Sequence, residues 1–198
     1  MVLDGLDAAA IDQAAALIAA GELVAFPTET VYGLGARADD DAAVARIFAL
    51  KGRPAAHPLI VHVADRAGAE PFVAEMSAVA ERLVDAFWPG PLTVIVKRAP
   101  GRAEAAAAGQ ATIGLRCPAH PVAHALLVKA AELGVPGIAA PSANRFGRVS
   151  PTTAAHVVDE FGADLLVLDG GATRLGIVSA IVDCSSGRLV LLRPGVLS

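Results

Sequence analysis

Leu23-Val24-Ala25-Phe26-Pro27-Thr28-Glu29-Thr30-Val31-Tyr32-Gly33-Leu34-Gly35-Ala36 is the stretch on which the fold turns. Leu23 to Phe26 reads as a buried strand, and Pro27 ends it. Upstream, Asp7 to Ala20 predicts a helix with Asp7 as its N-cap and Gly21 just past its end. Downstream, Asp40 opens a second helix with acids in its first turn, Lys51 in its last and Gly52 as the stop. Thr28 to Ala36 then lies between a strand and a helix. Its hydroxyls and amides stand at a strand's carboxyl end, where open α/β sheets bind ligands. A purely structural connection is the competing reading. Gly33-Leu34-Gly35-Ala36-Arg37-Ala38 imitates a dinucleotide fingerprint, but Pro27 to Tyr32 separates the glycines from the strand and no acid follows at the required distance.

Helical and strand periods alternate along the rest of the chain. Leu59 to Ala64, Leu92 to Lys97, Thr112 to Arg116, Gly137 to Ala140, Leu165 to Asp169, Ser179 to Asp183 and Leu189 to Leu192 read as strands. Ala78 to Phe87 reads as a helix, Trp88-Pro89-Gly90-Pro91 as a turn, and Pro121 fits the first turn of another helix. Ser185-Ser186-Gly187 joins the last two strands as a hairpin. The expectation is one α/β domain over residues 1–198, with a mixed sheet of about seven or eight strands.

Composition limits the functions available. The chain of 198 residues is 55% hydrophobic, with a mean hydropathy of +0.55. Its uncharged stretches nevertheless fall short of the roughly 18 to 20 apolar residues that cross a bilayer. Asp4, Asp7 and Asp12 occupy the place where an export signal carries positive charge, so a cytoplasmic location and no membrane are expected. Cys117 and Cys184 are too few for a disulfide framework or a zinc site. A net charge of −4 argues against a broad nucleic-acid surface, leaving only a local basic site.

Several motifs carry chemistry. In Lys51-Gly52-Arg53-Pro54, a Lys51 that complements its helix dipole is the competing reading, whereas Arg53 lies beyond the helix, extended by Pro54 and suited to phosphate or carboxylate. His62 interrupts the strand Leu59-Ile60-Val61-His62-Val63, where a core histidine with a backbone partner competes with a ligand contact. His120 and His124 share a helix face without a third ligand, so no metal site is expected from protein side chains. Pro141-Ser142-Ala143-Asn144, with Arg145, Gly147, Arg148 and Ser150-Pro151-Thr152, follows a strand end with many donors, as an adenine or phosphate site needs; turn chemistry alone is the plainer alternative. Arg116 and Arg193 each close a strand just before a proline. A Gly-rich Lys-Ser/Thr phosphate loop, a nucleophile elbow and a close acid pair are all missing. The residues therefore describe a cationic, hydroxyl-rich anion pocket with no evident nucleophile.

Taken in order, the opening motif, Lys51-Gly52-Arg53-Pro54, Pro58-Leu59-Ile60-Val61-His62-Val63, Pro89-Gly90-Pro91-Leu92-Thr93, Pro141-Ser142-Ala143-Asn144 and Leu192-Arg193-Pro194-Gly195 closely resemble the YrdC-like threonylcarbamoyl-AMP synthases over nearly the whole chain. The resemblance implies a twisted mixed α/β sheet with flanking helices around a central positively charged cavity, in the short form with no additional C-terminal domain. It implies threonylcarbamoyl-AMP and pyrophosphate made from ATP, L-threonine and bicarbonate for tRNA modification, with Mg²⁺ accompanying ATP. Partners implied are a downstream threonylcarbamoyl transferase complex and a weak tRNA contact. Carried over by position, Thr28, His62, Arg116 and Ser179 resemble threonine contacts. Lys51, Arg53, His57, Thr112, Ala140, Ser142, Asn144, Ser150 and Arg193 resemble the nucleotide side, with Lys51 and Arg53 catalytic and both expected at the cavity, outside the core. His57 stands where family members often carry Asn, and Val178-Ser179-Ala180 replaces Glu-Ser-Thr. A non-catalytic RNA-binding module is the alternative; only 4% aromatic residues weigh against it, because single strands are read on stacking platforms. Carbamoyl-adenylate chemistry from carbamoyl phosphate, as in maturation proteins with a similar domain, is a third reading.

Overall fold

The computed structural model describes residues 1–197. The run Val24–Pro27 is a strand (β2) whose Val24, Ala25 and Phe26 are fully buried. The chain does not then pass to a helix, as the sequence reading had it. It folds back as Tyr32–Arg37 (β3), antiparallel to β2 with Pro27 opposite Tyr32 and Val24 opposite Gly35. Gly33 and Gly35 hid this strand, because glycine weakens a strand signal. Their alternation with Tyr32, Leu34 and Ala36 is the reason for them. Tyr32, Leu34 and Ala36 are wholly buried on one face. On the other face, a Cβ at Gly35 would come within 2.8 Å of both Ile138 Cγ2 and Phe26 Cε1.

Around this hairpin the sheet is mixed and, among the described residues, has 11 strands, more than expected. Val2–Asp4 (β1) and Leu166–Asp169 (β9) lie beside β2, all parallel. On the other side of β3 follow Ile138–Ala139 (β8), Val61–His62 (β4), Thr112–Arg116 (β7), Leu92–Arg98 (β6), Ala180–Asp183 (β10) and Val190–Arg193 (β11). Val73–Glu75 (β5) pairs with the end of β6. The predicted hairpin through Ser185-Ser186-Gly187 is β10–β11.

Helices Ala8–Ala19 (α1) and Pro121–Glu132 (α5) pack on one face. Asp7 caps α1 by accepting from the Ala9 amide at 3.0 Å. Asp41–Lys51 (α2), Ala78–Phe87 (α4) and Ala154–Phe161 (α6) lie on the opposite face, with the short Arg66–Ala69 (α3) between α2 and α4 in the chain. Asp40 and Gly52 cap α2, the latter in left-handed geometry. α6, β1 and β5 were not read from the sequence. The core under α1 and α5 takes in residues of β2, β8 and β9 but none of β4, β6, β7, β10 or β11. One face of that second set of strands is therefore left for something other than a helix. Among the described residues no helix is long and apolar enough to cross a membrane.

Gly35→Ala is expected to lower the free energy of unfolding by about 1–3 kcal/mol, the usual cost of overpacking a filled core, measured by urea denaturation.

Candidate functional site

The uncovered face carries one rung of side chains. His62 on β4 pairs with Arg116 on β7, Arg116 with Thr93 on β6, Thr93 with Ile181 on β10, and Ile181 with Arg193 on β11. Directly paired residues present their side chains to the same face. Four steps between strands spread this rung over roughly 19 Å. His62, Arg116, Ile181 and Arg193 line a cavity of about 190 Å³, closed by Thr28, Thr30, Val31, Gly33, Arg53, Pro58, Leu59, Ile60, Ala140, Pro141, Ser142, Val178 and Ser179. Thr93 lies beneath, its hydroxyl 2.9 Å from that of Ser179.

The cavity wall nearest the hairpin is the turn between β2 and β3. The Thr28 hydroxyl builds that turn, donating to the Val31 carbonyl at 2.8 Å and accepting from the Thr30 amide at 3.2 Å. Leu175 and Gly176 brace it from outside, their amides donating to the carbonyls of Glu29 and Thr30 at 3.1 and 3.0 Å. Arg116 is only 3% exposed. It donates from Nε to the Gly90 carbonyl at 3.2 Å, from Nη1 to Thr30 Oγ1 at 3.0 Å, and from Nη2 to Glu29 Oε1. Glycine is required at 90, since a Cβ there would lie 2.4 Å from the Phe87 carbonyl oxygen. At the far end Arg193 Nε donates to the Ser179 carbonyl at 2.9 Å.

Arg53 enters from beyond α2, held by a 3.0 Å bond from Nη2 to the Pro58 carbonyl. Lys51 behaves differently from expectation. Its side chain turns into the protein, 3% exposed, and Nζ donates to the carbonyls of Ser142 and Asn144. It latches the loop after β8 to the end of α2, and the Phe146 amide returns a bond to the Lys51 carbonyl at 2.8 Å. The same loop is pinned to β3, with Leu34 and Ala143 amides donating to Pro141 and Tyr32 carbonyls at 2.8 Å each.

Of the residues singled out from the sequence, Thr28, Arg53, His62, Arg116, Ala140, Ser142, Ser179 and Arg193 converge on the cavity wall. Lys51 and Asn144 are buried just behind it. His57 is exposed and outside the cavity lining, its ring 5.5 Å from that of Phe146. Thr112 opens β7 on the face shared with Arg116 but away from the cavity. Ser150 borders a separate depression with Arg148, Thr152, His156 and Glu160. Glu29, Thr30 and Thr93 had been given no role. Their signal was present in the motifs that contain them, but only the rung and the turn show what they touch.

Charge is concentrated here. Burial lowers the pKa of Arg193, and the nearby Arg116 and Arg53 lower it further. Burial also lowers that of Arg116, against the opposing pull of Glu29. Lys51 is pushed down to about 8, first by burial and then by Arg53, with Glu160 opposing. Among the described residues four buried side-chain atoms find no hydrogen-bond partner: Arg53 Nε, His62 Nδ1, Asn144 Oδ1 and Thr173 Oγ1. Arg53 Nε and His62 Nδ1 belong to side chains of the cavity wall but are themselves sealed from it.

The sheet and its cavity define the class: a mixed α/β protein with an arginine-lined cavity on one sheet face. The chain belongs to the Sua5/YciO/YrdC family, whose model, described as telomere recombination, matches residues 16–195. It is 48% identical to the threonylcarbamoyl-AMP synthase of Pyrococcus abyssi over 92% of this chain and 53% of that protein. It is 46% identical to the threonylcarbamoyl-AMP synthase of Bacillus subtilis over 93% of this chain and 53% of that one. The crystal structure of P. abyssi Sua5 complexed with L-threonine superimposes with a TM-score of 0.93 at 44% identity, covering 98% of this chain and 57% of that one. The chain thus spans about half the length of the curated relatives it matches.

His62 gives a measurable signature. Burial, and then Arg116, push its pKa from an ordinary 6.5 down to about 3. Below pH 6.5 the unfolded chain takes up a proton that the folded chain refuses, so stability falls as pH falls. By pH 5 the loss is about 2 kcal/mol. The difference in unfolding free energy between pH 7 and pH 5 is expected to shrink by about that amount in His62→Gln, measured by denaturant titration at both pH values.

Proposed function

We propose that the chain is an L-threonylcarbamoyladenylate synthase, forming threonylcarbamoyl-AMP and pyrophosphate from ATP, L-threonine and bicarbonate for tRNA modification. The names of its relatives and the threonine complex of P. abyssi Sua5 support the reading. The observation that carries it is the rung from His62 to Arg193, which sets the buried Arg116 and the half-buried Arg193 on the wall of one cavity with Arg53 beside them. At about 190 Å³ the cavity is smaller than the roughly 300 Å³ at which drug-sized sites begin. It suits an amino acid, with a nucleotide extending from it past Arg53 and Ser142 toward His57 and the loop carrying Asn144.

In this reading the threonine carboxylate meets Arg116, with Thr28, His62 and Ser179 around it. The amine, once neutral, bonds to the carbon of bicarbonate-derived carbon dioxide and loses its proton. A carbamate oxygen then attacks the α-phosphorus of ATP, and the bond to the β-phosphate oxygen breaks as pyrophosphate leaves with the electron pair. No side chain becomes covalently attached. Catalysis rests on holding the reactants together, where well-oriented groups reach effective molarities of about 10⁵ M or more. Arg53 and Arg193 would stabilise charge on the phosphates, while Lys51 would act by fixing the loop of Ser142 and Asn144.

Among the described residues no three His, Cys, Asp or Glu side chains gather to hold a metal. The donors at the cavity are cationic or neutral, which suits phosphates that bring their own Mg²⁺, held by phosphate oxygens and water. That ion would supply additional charge neutralisation on the phosphates. The product would pass to a threonylcarbamoyl transferase that acts on tRNA.

The test is pyrophosphate release from ATP with threonine and bicarbonate omitted in turn. Release that needs both is expected; release without threonine would reject the reading. Arg53→Ala is expected to lower turnover by about 10²-fold or more with little change in the unfolding midpoint. Lys51→Ala is expected to lower both, because two carbonyls lose their donor.

A further inference from the structure

The proposed chemistry assigns no task to Glu29, yet both of its carboxylate oxygens are engaged. Oε1 accepts from Arg116 Nη2, and Oε2 accepts from the Ala119 amide at 2.7 Å. Its side chain is 12% exposed and does not form part of the cavity wall. The backbone that carries it cannot drift, because the Thr28 hydroxyl and the amides of Leu175 and Gly176 fix the turn. With the turn braced and Oε2 held by Ala119, Glu29 presents Oε1 to Arg116 from a fixed position.

Arg116 carries five N–H donors in a rigid fork. Nε, one hydrogen of Nη1 and one of Nη2 are bound to Gly90, Thr30 and Glu29. Two donors remain, one on each terminal nitrogen of a side chain that lines the cavity. We propose that Glu29 is a positioning residue: clamping Nη2 from outside the cavity, it sets which two N–H groups Arg116 turns inward and so fixes where the carboxylate of the amino acid sits. The identity of that ligand rests on the proposed function; the clamp itself does not.

Orientation and charge balance make opposite forecasts. A carboxylate that merely neutralised Arg116 would compete with the ligand, and removing its charge would strengthen the pull on threonine. A carboxylate that aims Arg116 would be missed for its reach and not for its charge. Glu29→Asp keeps the charge and shortens the side chain by one methylene. Glu29→Gln keeps the reach and one acceptor oxygen while losing the charge.

Steady-state pyrophosphate release is measured for both variants, with arginine ¹⁵N spectra of each. Glu29→Asp is expected to lower kcat/KM for threonine by about tenfold, as misplaced reactants do. Glu29→Gln, which keeps an acceptor for Arg116 but gives up the charge and one of the two accepted bonds, is expected to lose clearly less kcat/KM for threonine than Glu29→Asp, and KM for ATP is expected to hold in both. The two terminal nitrogens of Arg116, restrained by their bonds, are expected to give separate signals in the original chain that merge in Glu29→Asp. The proposal is overturned if Glu29→Gln is the more damaged variant, if either variant binds threonine more tightly, if KM for ATP shifts in step with that for threonine, or if the Arg116 signals stay separate in Glu29→Asp. Should the unaltered chain show no threonine-dependent release, the proposed function falls and the spectra alone judge the clamp.

Discussion

Arg116 is buried to 3% exposure in the middle of a sheet, and a guanidinium cannot escape by losing its proton. Everything that touches it must therefore supply an acceptor or a negative charge. Removing one partner from a buried ion pair costs far more than the pair contributes. This requirement accounts for features that would otherwise be unrelated: Gly90 brings a bare carbonyl close, the turn of Thr28 to Val31 delivers a hydroxyl and a carboxylate, and Ala119 holds that carboxylate still. The strands around Arg116 are short, but their register puts His62 on one side of it and Thr93 on the other.

Division of labour between the two halves of the sheet follows. Over β2, β8 and β9 the pair α1 and α5 covers apolar side chains. Over β4, β7, β6, β10 and β11 the same face holds charge, and no helix of that pair shares its core. On the opposite face Leu92, Val94, Val96, Ile113 and Leu115 are buried in one apolar core that also takes in Ala80 and Val84 of α4. A single sheet can thus carry a wet, charged surface and a dry core back to back because alternate residues point opposite ways.

Local chemistry was legible in the sequence. Asp7, Asp40 and Gly52 cap their helices in the structure because capping involves residues only a few positions apart. Non-local chemistry was legible only in part. Arg116 and Arg193 were singled out as strand-ending arginines, but nothing in the spacing of His62, Arg116, Thr93 and Arg193 reveals that they form one rung, because register is decided by pairing across the chain. β3 was hidden by the two glycines that its close packing demands. The same reasoning that marked Lys51 as a helix-end cation could not foresee that it would turn inward to two carbonyls of a loop far along the chain.

Among the described residues β11 pairs only with β10, and its other side is a sheet edge; Leu191 is 59% exposed. Backbone bonds there have solvent on one flank and little apolar cover, the conditions under which segments open without global unfolding. His62 and Arg193 therefore differ in local cohesion: one wall is set in the interior of the sheet, while the other is carried by its edge strand. Entry and exit of any occupant would be governed by the looser wall, whatever precision the tighter one imposes.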